Sequence, residues 1–166
     1  MALDPETLLR EAKALQEELV ALRRDIHAHP ELGSCEVRTT ALIKKYLEEL
    51  GIEVRPCTET GVLGILYGGK PGKTIGLRAD IDALPIQEET GLPFASKNAG
   101  VMHACGHDLH TASLMGAAKI LSAHRDALCG NVKFFFQPDE EGNGGAERMV
   151  RAGCLQGPDV DAVFGG

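Results

Sequence analysis

No stretch of the sequence gathers lysine and arginine, and none stays apolar for the roughly 18 residues that a membrane span takes. The 17 basic side chains are scattered among 24 acidic ones, for a formal charge of −7. A protein that neutralises phosphates needs a basic face, so neither nucleic acid nor a membrane is an expected partner. The opening residues, MALDPETLLREAKALQEEL, are acidic and amphipathic where a secretory leader is basic and then apolar. On these grounds the protein reads as cytoplasmic. A disulfide framework is lacking too: Cys35, Cys57, Cys105, Cys129 and Cys154 are odd in number and irregularly spaced, which suits free thiols or a ligand better than bridges. Nor is there an internal repeat or a low-complexity linker.

What is present suits one soluble domain. The chain has 166 residues, 43% hydrophobic and 25% charged, enough for an ordinary core. Asp4 followed by Pro5 predicts a helix start, and Leu8, Leu9, Ala12, Leu15, Leu19 and Leu22 recur at three- and four-residue steps, so this helix is expected to run to about Ile26. HAHPELG at 27–33 breaks it, Ser34 is placed to cap a second helix, and Gly51 to end that one. Residues 52–57, 62–67 and 74–79 read as strands between glycine and proline turns. A strong helix over 109–123, a buried strand over 132–136, a short helix over 145–152 and a strand over 160–164 complete the pattern. Helices alternating with short apolar strands imply a three-layer α/β domain whose sheet is at least partly parallel.

In such a sheet, functional groups gather past the carboxyl ends of strands. Three polar clusters fall there: RADIDALP after the strand ending near Ala79, MHACGHDLH before the helix starting near Leu109, and QPDEEG after Phe136. If the loops share a rim, Asp80, Cys105, His107, Glu140 and Glu141 converge. Cys105 and His107, alternate residues of an extended loop, are a sulfur and a nitrogen suited to zinc-like ions, and Glu141 adds a carboxylate. Two adjacent glutamates allow one to hold metal while the other moves a proton.

Taken singly, each feature has a plainer reading. Cys-x-His can be a buried thiol beside a structural histidine, Glu-Glu a solvated surface, and Asp80 a loop cap. His27 and His29, next to Pro30, suit packing or hydrogen bonding at a helix end better than ligation. Two other functions use the same residues: a thiol hydrolase built on Cys105, His107 and Asp108, and a non-catalytic metal-binding or interaction fragment. Chelator sensitivity separates the first of these from a metal enzyme.

The succession HAHPELG, LRADIDALP, MHACGHDLHTA, FQPDEEGNGGAERM and VDAVFG resembles the N-terminal part of the aminoacylase and carboxypeptidase-G type metallopeptidase superfamily. Its amidohydrolase branch includes hippurate hydrolases, indole-acetyl-amino-acid hydrolases and N-acetyl-diaminopimelate deacetylases. The five blocks occur in family order from about residue 20 onward. Other branches carry His-x-Asp at the strand end with the histidine on metal. Arg78 takes that place here, as in the amidohydrolase branch, where the cysteine of ACGHD joins the ligands. The resemblance implies a three-layer α/β/α zinc-peptidase-like catalytic domain with a mixed, mostly parallel central sheet. It also implies one or two divalent ions (zinc, manganese, cobalt or nickel), with Cys105, His107 and Glu141 as ligands. Glu140 would be the general base and Asp80 a carboxylate orienting a ligand; His110 fits the pattern without a role. The implied substrate is a small N-acyl amino acid, and the full-length enzyme would be a homodimer. Residues 1–166 would then be the N-terminal part of the catalytic domain, without the lid or dimerisation domain and without further histidine ligands. On their own they are expected to bind metal weakly and to be inactive.

Overall fold

Asp4 opens the described part of the chain, residues 4–166 of a computed structural model. Its carboxylate accepts from the amides of Glu6 (3.3 Å) and Thr7 (3.1 Å), and Pro5 fills the first helical position of α1 (Pro5–Ala14). The sequence predicts one helix to about Ile26, but the chain makes two. A turn at Leu15, whose amide is shared between the carbonyls of Glu11 and Ala12 at 3.2 Å each, separates α1 from α2 (Gln16–Ala28). Ser34 is not the cap of α3 (Val37–Glu49). It has φ of 64° and its hydroxyl donates to Asp139 at 2.9 Å. The first amides of α3 are satisfied from upstream instead: those of Arg38 and Thr39 donate to the Glu31 carboxylate, each at 2.8 Å, which also sets negative charge at the helix N-terminus. The end of α3 follows the sequence. Gly51, at φ 68°, donates to the Glu48 carbonyl (2.9 Å), and the Ile52 amide reaches back to Leu47 (3.0 Å), the paired bonds of a Schellman stop.

Strands β1 (Glu53–Pro56), β2 (Val62–Tyr67), β3 (Lys70–Asp80), β4 (Cys129–Gln137) and β5 (Ala162–Gly165) form one sheet in the order β1-β2-β4-β3-β5. The sheet is mixed. The β1–β2 and β2–β4 pairs are antiparallel, and parallel pairing is confined to β3, against β4 and β5. The β3–β4 connection is a crossover through α4 (His107–Ala123), which a parallel pair requires.

Side-chain alternation along the strands separates two apolar layers. Val62, Leu66, Phe134 and Phe136 face Ile26, Ile43, Leu47, Leu114, Met115 and Ala118 from α2, α3 and α4. Leu63, Ile65 and Phe135 face the other way, toward Cys57, Cys154 and Met149 of α5 (Gly145–Arg151). The result is the three-layer arrangement. Among the described residues, no helix is long and apolar enough to cross a membrane, and all five cysteines are free thiols.

Lys133 breaks the apolar pattern of β4. It is fully buried, and its ammonium donates to the carbonyls of Cys154 (2.9 Å) and Gln156 (2.6 Å), tying the segment after α5 to the sheet. Removing one partner leaves these carbonyls unpaired. Lys133→Met, similar in length, should therefore lose about 1–3 kcal/mol of unfolding free energy in urea melts; an unchanged midpoint would mean that water satisfies them equally well.

Candidate metal centre

Asp80 lies opposite Gln137 in the parallel β3–β4 register, so the two strands finish level, and the Ile81 amide still donates to the Gln137 carbonyl at 3.0 Å. The segments that follow, residues 81–82 and 138–141, therefore leave the sheet at the same rim. The third segment returns to this rim because Leu84 and Met102 exchange amide–carbonyl hydrogen bonds of 3.0 Å, while Ala83 donates to Glu31 at 2.8 Å. The chain then enters α4 through Gly106 at φ 88°, a conformation that a residue with Cβ adopts only at a cost. That turn corrects one expectation. His107 is the first residue of α4 and not part of an extended loop, whereas Cys105 stays outside the helix.

The turn brings a thiol, an imidazole and a carboxylate together. Donor atoms of Cys105, His107 and Glu141 lie within 4.8 Å of one another, and a second group, Asp80, His107 and His110, meets the same limit. His107 is shared by both. Its Nδ1 lies 2.9 Å from the Asp82 carbonyl oxygen and 3.2 Å from Asp82 Oδ1. A carbonyl only accepts, so Nδ1 carries the proton and donates. In the neutral ring the lone pair then sits on Nε2, which faces Asp80 Oδ2 (3.5 Å) and Glu141 Oε1 (3.8 Å).

The site is rich in negative charge. Burial is the largest single influence on His107 and opposes its protonation, but the Asp82 hydrogen bond and the charges of Asp80 and Asp82 outweigh it and raise its pKa. The Glu141 carboxylate raises the Cys105 thiol, helped by partial burial and by the charges of Asp80 and Glu140. A metal takes these donors in their deprotonated form, so its binding releases their protons and strengthens as pH rises. The mixed sulfur, nitrogen and oxygen set fits a borderline ion of the zinc type.

The carboxylate hydrogen-bonded to His107 Nδ1 is that of Asp82, while Asp80 bonds His110. Asp82 is 1% exposed, and besides His107 it accepts from the Glu141 amide at 3.0 Å, so one side chain joins the α4 and β4 loops. Asp80 lies on the Nε2 side of His107. It accepts from His110 Nδ1 at 2.7 Å and pairs with Arg78 at 2.8 Å, which gives His110 a place in the site. Residues 80 and 82 share a side of an extended chain, so the alternation in RADID marks both. Glu140 is exposed, and its carboxylate has no hydrogen-bond partner among the described residues.

Behind the rim lies a buried network. His27, expected to hydrogen-bond at a helix end, does so: Nδ1 meets Asp108 Oδ2 at 2.7 Å and Nε2 meets Glu88 Oε1 at 3.3 Å. Arg23 also contacts Asp108, at 2.8 Å. His29 bonds the Asp25 carbonyl at 2.7 Å and takes no part in the centre. His103 is 3% exposed, and burial pushes its pKa down to about 4.

A mixed α/β sheet with a thiol, imidazoles and carboxylates gathered past its parallel strand ends defines a class, that of α/β domains with candidate metal donors at a strand-end rim. The profile of peptidase family M20/M25/M40 matches residues 76–166. The chain is 51% identical over 152 residues to an N-acetyl-L-cysteine deacetylase of Bacillus subtilis, covering 91% of this chain and 36% of that protein. It is 48% identical over 159 residues to the hippurate hydrolase of Campylobacter jejuni, covering 95% and 41%. A crystal structure of a Bacillus subtilis dinuclear metal-binding peptidase of the M20 family superimposes with a TM-score of 0.87 at 51% identity, over 92% of this chain and 43% of that one. The chain belongs to peptidase family M20/M25/M40. It spans roughly two fifths of the length of these relatives.

Proposed function

We propose that this chain carries the N-terminal half-site of a metal-dependent amidohydrolase that cleaves N-acyl amino acids. The observation that carries the reading is the meeting of Cys105, His107 and Glu141 with a second, unpaired glutamate next to them. Cys105, His107 and Glu141 hold divalent metal, and Asp80 with His110 lines the same space. When bound, such an ion supplies Lewis acidity to a carbonyl oxygen and to a water molecule.

The chain's own residues do the rest. Asp82 fixes the His107 ring so that Nε2 points into the site, and through the Glu141 amide it holds the second loop in register. Glu140 accepts the proton of the attacking water and returns it to the departing amine nitrogen. The relatives support this substrate class: they include a deacetylase of N-acetylcysteine and a hydrolase of hippurate, both named for N-acyl amino acids.

The thiol-hydrolase reading has the same residues and the wrong surroundings. A thiolate nucleophile is favoured by neighbours that lower its pKa, whereas the Glu141 carboxylate and the charges of Asp80 and Glu140 raise the Cys105 thiol. The test is hydrolysis of N-acetyl and N-benzoyl amino acids by the full-length polypeptide. Chelation should abolish turnover and added zinc, manganese or cobalt should restore it. Turnover that survives chelation but not thiol alkylation would favour the thiol hydrolase, and metal binding without turnover a non-catalytic module.

A further inference from the structure

Glu140 and Glu141 sit on a loop shaped by the residue before them. Asp139 has φ of 52°, in the left-handed region that residues with a side chain avoid, and it is 2% exposed. Its amide donates to Glu36 Oε1 at 2.8 Å, while the other Glu36 oxygen accepts from the Thr60 hydroxyl at 2.7 Å. Its carboxylate closes the loop from the other side. Oδ1 accepts from the Asn143 amide (3.1 Å), spanning Glu140–Gly142, and Oδ2 accepts from the Ser34 hydroxyl (2.9 Å) and Arg148 Nη2 (2.8 Å). Glycines make the space: a Cβ on Gly33 would lie 2.2 Å from Oδ1, and one on Gly142 would lie 2.6 Å from it.

A turn alone would not need this side chain. Glycine takes a φ of 52° freely, and glycine is plentiful in QPDEEGNGG. The carboxylate instead binds three groups from three places in the chain: Ser34 before α3, Asn143 across the loop and Arg148 within α5. Downstream, the Glu141 amide is held by Asp82. The pair of glutamates is thus fixed at both ends, by Asp139 on one side and Asp82 on the other.

We propose that Asp139 is a positioning residue: held among Ser34, Arg148 and the Asn143 amide, its carboxylate fixes the loop that aims Glu141 at Cys105 and His107 and leaves Glu140 free beside them. It acts through its neighbours and does not touch the reacting groups. The inference rests on the roles given above to Glu140 and Glu141.

The test uses the full chain and two readouts other than turnover: cobalt(II) affinity by absorption titration, and hydrogen exchange of the Asn143 amide by NMR. Asp139→Gly accepts the backbone conformation but lacks the clamp. It should weaken cobalt(II) binding by about 10–100-fold and speed exchange at Asn143. Asp139→Asn keeps an acceptor and tolerates the left-handed region, so it should recover most of the affinity. Met149→Ala, a core truncation on α5 whose side chain takes no part in the clamp, should lower thermal stability and leave cobalt(II) affinity intact. If Asp139→Gly fails to fold, Arg148→Met removes one donor to Oδ2 and should weaken binding in the same direction. Wild-type affinity and exchange in Asp139→Gly would overturn the proposal, as would an equal loss of affinity in Met149→Ala. Glu141→Gln separates the two layers of the argument. Unchanged cobalt(II) binding in that variant would contradict the metal reading, while Asn143 exchange would still report on the clamp.

Discussion

Glu140→Gln is expected to keep bound metal and lose about 10²–10⁴ in turnover, the range for removal of a general base, whereas Glu141→Gln loses the metal as well. The two residues are adjacent and chemically identical, so only their surroundings separate them. Glu141 Oε1 lies 3.8 Å from His107 Nε2, and a Glu141 carboxylate oxygen belongs to the compact donor group with Cys105. Glu140 is exposed and its carboxylate has no partner among the described residues, which leaves it free to take and return a proton. An amide side chain is nearly the same size but cannot accept that proton. Metal content by atomic absorption, with kcat measured on the same preparation of the full-length polypeptide, decides the matter. Equal metal loss in both variants would contradict the division of labour.

Asp82→Ala is the second large effect. This carboxylate serves two loops at once, through His107 Nδ1 at 3.2 Å and the Glu141 amide at 3.0 Å. Removing it frees the His107 ring to turn and leaves the partly buried Glu141 amide without its partner. Metal affinity should fall by about 10–100-fold, as when a group that orients a ligand is lost, and unfolding free energy should fall by about 1–3 kcal/mol. Asp82→Asn retains one acceptor oxygen and should lie between the alanine variant and wild type. Isothermal titration with zinc and urea denaturation measure the two quantities separately. An Asp82→Ala protein with wild-type zinc affinity would show that the His107 backbone contact suffices on its own.

The parts of the fold legible in the sequence are those encoded by local rules. Val62–Tyr67 forms the strand that its apolar run predicts, and Gly51 ends α3 because only a left-handed residue completes that stop. The strand-end rule brought RADIDALP and QPDEEG together, and the register of Asp80 with Gln137 shows why it works here: the two strands are parallel neighbours that end level. What stayed hidden depends on distant partners. Ser34 has the chemistry of a helix cap, but Asp139 claims its hydroxyl and Glu31 takes over the capping. Asp82 and Asp80 have equal standing in an alternating run, and only the approach of α4 gives the first to Nδ1 of His107 and the second to its Nε2 side. The His27 network joins residues 81 and 61 positions apart, and no local signal in HAHPELG marks those contacts. Asp139 carries no signal of its own in the sequence, because it stands beside two glutamates whose chemistry is more obvious.

X-ray absorption at the zinc edge of the metal-loaded chain tests the central claim most directly. If Cys105, His107 and Glu141 share an ion, the spectrum contains one sulfur scatterer at about 2.3 Å together with nitrogen and oxygen at about 2.0–2.2 Å, and Cys105→Ala removes the sulfur while keeping the lighter shell. A shell of nitrogen and oxygen alone in the wild-type chain, unchanged by Cys105→Ala, would contradict it.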